Sequence, residues 1–343
     1  MKVKPMLQCH LLVPDLSMHG VEAPRLPALE SLLAFADQDV GVSESVESWL
    51  CQCFGVVRQY DWPVAPYAAL GDGLTPGGQY WLCVDPVHLQ LLRDRIIVQQ
   101  CPEAEIGADE AALLVQTLNQ HFSADGLQFF APHASRWYLS LQHAPALQTH
   151  PLRDVLGLDA NSLLSEGQDA LMWHGRLNEV QMLLHDHPVN LEREEQGKQP
   201  VNSIWPWGGG GVRKSLNSPF DAVWAQPPFM RGLALAAGVA SSSLPDSLTE
   251  WLNAIPGNGA HLVALDGLSA SAASGDADAW RAALLQMEAS WFVPLLDAVK
   301  AGRMATVHLH IAGAGQLRQF TISRDCLWKF WRRRKPLKAF LHD

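Results

Sequence analysis

The chain has 343 residues, 48% of them hydrophobic, a size that suits two domains or one domain with a large insertion and can bury a substantial core. A formal charge of −10 excludes a broad surface for nucleic acid or anionic membrane, because the mean field repels polyanions unless cations are gathered locally. Six cysteines, at positions 9, 51, 53, 83, 101 and 326, are too sparse for a disulfide scaffold and fit reduced thiols in a cytoplasmic protein.

Met1 to Val13 lacks an apolar core followed by a small-residue cleavage site, and no run reaches the roughly 18 apolar residues of a membrane span. Leu7 to Val13 reads as a buried strand that ends at Pro14 and delivers Asp15. Carboxylates at strand ends line ligand crevices in open α/β sheets, and they equally serve as turn formers or helix caps. Cys51-Gln52-Cys53 is too short of further ligands to specify zinc. Ile96 to Val98 predicts a strand, Asp109 to Phe122 a helix and Arg136 to Leu141 another strand, together an inserted α+β subdomain.

His185-Asp186-His187, followed by Pro188, reads as a loop or strand end with weak metal-ligand spacing. Gly208 to Gly211 before Val212-Arg213-Lys214-Ser215 fails both phosphate-loop patterns at Arg213. A looser reading has the glycines admitting a substrate while Arg213 or Lys214 supplies charge; the plain alternative is a flexible turn. Ser241 to Asp246 and Gly267 to Gly275 read as loops.

Leu262 to Leu265 repeats the strand-end pattern and delivers Asp266. Trp280, Leu284, Met287, Trp291, Leu295 and Val299 mark one face of an amphipathic helix over Ala277 to Val299. Thr306 to Ile311 alternates, so Val307, Leu309 and Ile311 face one side of a strand and His308 and His310 the other. The C-terminal Lys329, Arg332, Arg333, Arg334, Lys335 and Lys338, interleaved with Trp328, Phe330 and Trp331, predict a helix with packed aromatics and solvated cations; the alternative is a local patch for phosphate, RNA or an acidic partner.

His187-Pro188-Val189-Asn190, Arg193, Gly197-Lys198, Pro200-Val201-Asn202 and Ile204-Trp205-Pro206-Trp207-Gly208 occur in an order that resembles the archaeal-type cofactor-independent phosphoglycerate mutases. The likeness continues more weakly at Asp15, Tyr80 to Leu89, Arg136 to Leu141, Pro151 to Gly157 and Asp266 to Val299. Within that group the chain looks most like the bacterial RpfE-type regulatory proteins. The resemblance implies an α/β, alkaline-phosphatase-like sheet flanked by helices over residues 1–75 and 190–343, with an inserted α+β subdomain over 76–189. It also implies two divalent metals held by Asp and His, and a serine nucleophile.

Asp15 and Asp266 match two ligand positions, and Ser45 and Ser48 lie in the part of the chain where the nucleophile belongs. The family's histidine after Asp266 is missing from Gly267 to Asp278, and its late Asp-His pair is replaced by His308 and His310 without an adjoining carboxylate. Loss of about half the ligands removes the basis of two-metal catalysis. The expectation is a catalytically degenerate phosphomutase relative without a cofactor, binding or regulatory, that holds a phosphorylated small molecule through Arg136, Arg213 and Lys214 and meets a regulatory protein partner, not a membrane or nucleic acid. One alternative is a phosphomutase or phosphatase with Mn or Zn on Asp15, Asp266, His308 and His310. Another is an interaction scaffold using exposed members of the 13 tryptophans.

Overall fold

The computed structural model describes residues 7–101, 106–213, 215–313, 316–328, 332 and 334–341. The chain divides into one unit made of residues 1–55 and 216–343 and a second made of 56–215. This differs from the expected 75/76 and 189/190 boundaries, and the packing within the second unit explains the difference below.

The first unit is built on a seven-stranded sheet of β1 (Gln8–Val13), β2 (Asp37–Ser43), β8 (Ala222–Trp224), β9 (Ala240–Ser242), β10 (Ala260–Ala264), β11 (Thr306–Gly313) and β12 (Gln316–Ser323), in the order β2-β12-β11-β1-β10-β8-β9. β1 runs parallel to both neighbours, with His10 opposite His308 and Leu12 opposite His310 on β11. β11 is therefore an interior strand, and its alternation falls as expected: Val307, Leu309 and Ile311 enter the hydrophobic core with Leu11 and Val13. Parallel pairing from β1 outwards brings the strand ends before Asp15 and Asp266 to one edge of the sheet.

The helical stretch Ala277–Lys300 covers this core with Trp280, Leu284, Met287, Trp291, Leu295 and Val299. It is long and apolar enough to cross a membrane by those criteria alone, and half of its apolar window is buried in the unit. A π turn at Glu288–Phe292 interrupts it. Pro294 has no N–H for the regular ladder, and the wider turn absorbs the lost bond. The same turn aims Glu288 at the start of the helix Pro27–Phe35, where its carboxylate accepts from the Ala28 and Leu29 amides at 2.6 and 3.2 Å.

Two segments expected as loops carry structure. β9 takes Ser241 and Ser242 as an edge strand. Ser269–Ser274 is a helix closed by Gly275 at φ +73°, because its three alanines favour the helix and glycine accepts the left-handed exit. Of the C-terminal basic run, Lys329, Phe330, Trp331 and Arg333 lie outside the described residues. Arg332 bonds the Phe35 and Ala36 carbonyls and pairs with Asp37 at 3.1 Å, and Trp328 is 74% exposed rather than packed.

The second unit contains β3 (Tyr80–Leu91), β4 (Ile96–Gln100), β5 (Leu127–His133), β6 (Arg136–Leu141) and β7 (Ser203–Gly210), ordered β4-β3-β6-β5 with β7 also pairing β3. That last pairing, Val87 with Ser203 through Trp81 with Gly210, draws residues 190–215 into this unit. The helix Val64–Gly71 follows because its start lies against Gly208. The expected strands and the helix Ala108–Phe122 are present.

The Gly208–Gly210 run is the end of β7, not a flexible turn. A Cβ on Gly209 would stand 2.3 Å from Tyr80 Oη and 2.9 Å from Leu82 Cδ2; one on Gly210 would stand 2.3 Å from Pro63 Cβ. The glycines let a strand backbone lie directly on neighbouring side chains. Gly209→Ala should therefore lower the unfolding free energy by about 1 to 2 kcal/mol by overpacking. A urea midpoint equal to that of the parent would show that the Tyr80 ring moves aside freely.

Candidate functional site

Asp15 lies two residues beyond β1 and is the one residue other than glycine at positive φ, +56°, among those described. That strain is tolerable for aspartate, and two contacts fix it: the Trp280 indole N–H donates to the Asp15 carbonyl at 2.9 Å, and the Ser269 hydroxyl donates to its carboxylate at 2.6 Å. Asp266, half-buried after β10, has its carboxyl raised above the usual range by burial, and its carbonyl accepts from the Ser269 amide at 3.0 Å. Ser269 thus ties the two expected carboxylates together, one by its side chain and one by its main chain.

His308 and His310 stand on the other neighbour of β1, and there they meet a residue the sequence did not single out, His10. The His10 and His308 rings stack at 4.4 Å between centroids, the His10 and His310 rings at 5.4 Å, and His10 Nδ1 lies 3.2 Å from His310 Nε2. Trp49 covers the His310 ring at 4.2 Å, and Phe220 meets His10 edge-on at 5.1 Å. His308 Nδ1 is 3.1 Å from the Thr321 hydroxyl, which donates to Asp39 at 3.2 Å. Burial, then the neighbouring His308, lowers His10 to about 4; burial also lowers His308, and lowers His310 well below the ordinary range with help from both other rings. All three imidazoles are neutral at pH 7, with lone pairs available.

Among the described residues no three His, Cys, Asp or Glu side chains converge as a group able to hold a metal. Asp15 and Asp266 meet through Ser269, whereas His308 and His310 meet Thr321 and His10.

Ser45 and Ser48 form a reciprocal capping box at the start of the helix Val46–Cys53: the Ser48 amide donates to Ser45 Oγ at 3.1 Å and the Ser45 amide to Ser48 Oγ at 2.9 Å. The Ser48 hydroxyl is buried and itself donates to the Ser45 carbonyl at 2.8 Å, so this cap accounts for both residues. Cys51 and Cys53 sit on that helix, and burial pushes both thiols up to about 12.

The phosphate-binding candidates Arg136 and Arg213 lie in the second unit. Arg136 is held in a two-point ion pair with Asp72 at 3.0 and 3.2 Å, and Asp72 also accepts from the Tyr138 hydroxyl. Arg213 is exposed, its amide donating to the Tyr67 hydroxyl at 3.2 Å, and Lys214 lies outside the described residues. His185 ends the helix Ala170–His185, whereas His187 caps the next, accepting from the Val189 amide and pairing with Thr117. Trp328 is the single exposed tryptophan among those described, and Trp331 lies outside them.

No protein-family model matches the chain. It is 28% identical over 150 residues to the 2,3-bisphosphoglycerate-independent phosphoglycerate mutase of Methanosarcina mazei, covering 42% of this chain and 38% of that protein. With the Methanosarcina barkeri mutase it shares 29% over 141 residues, covering 39% and 35%. The chain thus spans less than two fifths of the length of these curated relatives. Among solved structures, the PH0037 protein from Pyrococcus horikoshii has a TM-score of 0.55 at 13% identity, covering 94% of this chain and 88% of that one. The chain is phosphoglycerate-mutase-like in sequence, and its fold is α/β with an alkaline-phosphatase-like central sheet flanked by helices.

Proposed function

We propose that this chain is a phosphoglycerate-mutase relative with a binding or regulatory role in the cytoplasm, of the kind the RpfE-type resemblance implies, taking a phosphorylated small molecule and answering to a protein partner. The observations that carry this reading are the Asp15 carboxylate held by Ser269 and the capping serines. The Ser269 hydroxyl donates to one Asp15 oxygen at 2.6 Å, and the Ser48 hydroxyl is spent on the cap of the helix Val46–Cys53. The activity of these relatives supplies the ligand class, and Arg213, exposed just beyond the glycine strand with Lys214 next in sequence, supplies the positive charge.

The test uses untagged protein and 3-phosphoglycerate, with binding followed by calorimetry and mutase turnover assayed in Mn²⁺ buffer. Saturable binding without turnover is expected. The double variant Arg213→Ala, Lys214→Ala should weaken it at least tenfold, since losing even one charge-assisted contact costs about 1.5 to 3 kcal/mol. Unchanged affinity removes the assignment to those two residues. Turnover that disappears in Ser45→Ala would make the protein an enzyme and overturn the proposal.

A further inference from the structure

We propose that His10 and His310, with His308 beside them, form a binding site for one borderline transition-metal ion of the Zn²⁺, Ni²⁺ or Cu²⁺ class, separate from Asp15 and Asp266. The register of β1 on β11 creates the site: His10 opposes His308, and the two-residue period returns His310 to the same face. His10 Nδ1 and His310 Nε2 are 3.2 Å apart. Two imidazole nitrogens bound at about 2.0 to 2.1 Å to one tetrahedral ion stand roughly 3.3 Å from each other, so the pair is already at chelating separation.

His308 is prepared as the third donor. Thr321 gives its proton to Asp39 and so accepts from His308 Nδ1–H, which leaves His308 Nε2 with its lone pair. No three donors converge in the structure, so His308 must turn about its side-chain bonds to join the pair. Trp49 lies against the His310 ring and Phe220 meets the His10 ring edge-on, so these two rings are walled while His308 is the one that turns. All-nitrogen donation selects Zn²⁺, Ni²⁺ or Cu²⁺ over Mg²⁺, Ca²⁺ and Mn²⁺, which prefer oxygen. The competing account of the 3.2 Å separation is an ordinary hydrogen bond between two neutral imidazoles.

The experiment strips the untagged full-length protein with chelator and titrates Zn²⁺ alone at pH 7.5 against a chromophoric competitor. One equivalent should bind, at least tenfold more weakly in His10→Gln and in His310→Gln, while Asp15→Asn stays within threefold of the parent. His10, less buried than His310, makes His10→Gln the variant to rely on if His310→Gln does not fold. Cu²⁺ should also quench a share of the tryptophan emission that is missing in Trp49→Phe, since that indole lies against His310. No stoichiometric Zn²⁺ uptake, uptake unchanged in His10→Gln, or equal loss in Asp15→Asn would each overturn the site and leave the hydrogen-bonded pair as the account.

Discussion

Arg193→Ala should lower the unfolding free energy by about 3 to 5 kcal/mol, the largest single-residue effect expected in the chain. The side chain is 1% exposed, donates through Nε to the Gln199 carbonyl at 2.9 Å and pairs through one terminal nitrogen with Glu110 at 2.8 Å. Glu110 in turn caps the helix Ala108–Phe122 by accepting the Gly107 amide at 2.7 Å. Truncation removes the countercharge, leaves the Gln199 carbonyl without its donor and opens a cavity at once. Asn190→Ala should cost somewhat less, about 2 to 3 kcal/mol. Its amide donates to the Leu184 and Val201 carbonyls at 2.7 and 2.8 Å, and its oxygen accepts the Val201 amide at 2.9 Å, with no ion pair involved. Equilibrium urea unfolding of both variants decides the matter. A loss below about 1 kcal/mol in Arg193→Ala would mean that Glu110 and Gln199 rehydrate freely and that the clasp is not structural.

The same clasp explains why the family likeness was legible where it was. His187 caps a helix, Asn190 and Arg193 bind carbonyls six to eleven positions away, and Asn202 bonds both main-chain groups of Leu89. Trp205 and Trp207 anchor their indoles on the His150 carbonyl and Asp85. The contacts of His187 and Asn190 and the Arg193 bond to Gln199 are local, so residue spacing alone preserves them, while Asn202, Trp205 and Trp207 reach back to β3 and His150; the recognisable pattern marks the architecture of the second unit rather than reacting groups. The candidate site is the opposite case. His10 meets His310 across 300 positions, and Ser269 meets Asp15 across 254. A lone histidine in a strand, or a serine in an alanine-rich run, gives no signal until strand register places it.

Fold-level pattern separated in the same way. Alternation at Val307, Leu309 and Ile311 and helical spacing from Trp280 to Val299 reported core faces directly, because one buried face imposes a period on its own residues. The glycine run carried no such period. Only the position of Tyr80 and Pro63 explains why β7 excludes side chains there, and those neighbours come from distant sequence. Composition likewise read Gly267 to Gly275 as a loop, whereas Ala propensity and a glycine exit make most of it a helix.

Raising the pH from 5 to 8 should cost the parent about 2 kcal/mol more stability than it costs Asp85→Asn. The Asp85 carboxyl accepts the Trp207 indole N–H at 2.6 Å and the Trp137 amide, and Arg136 lies near, yet burial outweighs all three and raises it to about 7. Arg136 is of limited help because Asp72 already holds its guanidinium at two points. The sign follows from proton binding. With a folded value of about 7 and an ordinary value of 3.8, the folded protein holds a proton through this interval that the unfolded chain has released, so stability falls as pH rises and levels off above 7. The full shift would exceed 3 kcal/mol at about 1.4 per unit; the residue is only half-buried by exposed area, although protein atoms enclose its carboxyl, so about 2 is the better figure. Asparagine keeps an acceptor for Trp207 but turns an N–H₂ toward other donors, which lowers stability equally at every pH and leaves the slope as the readout. The lowered histidines pull stability the other way below pH 6.5, and they cancel in the comparison because both proteins contain them. Parallel pH profiles for the two proteins would place the Asp85 carboxyl in its ordinary range, with the Trp207 and Trp137 donors sufficient to hold its charge.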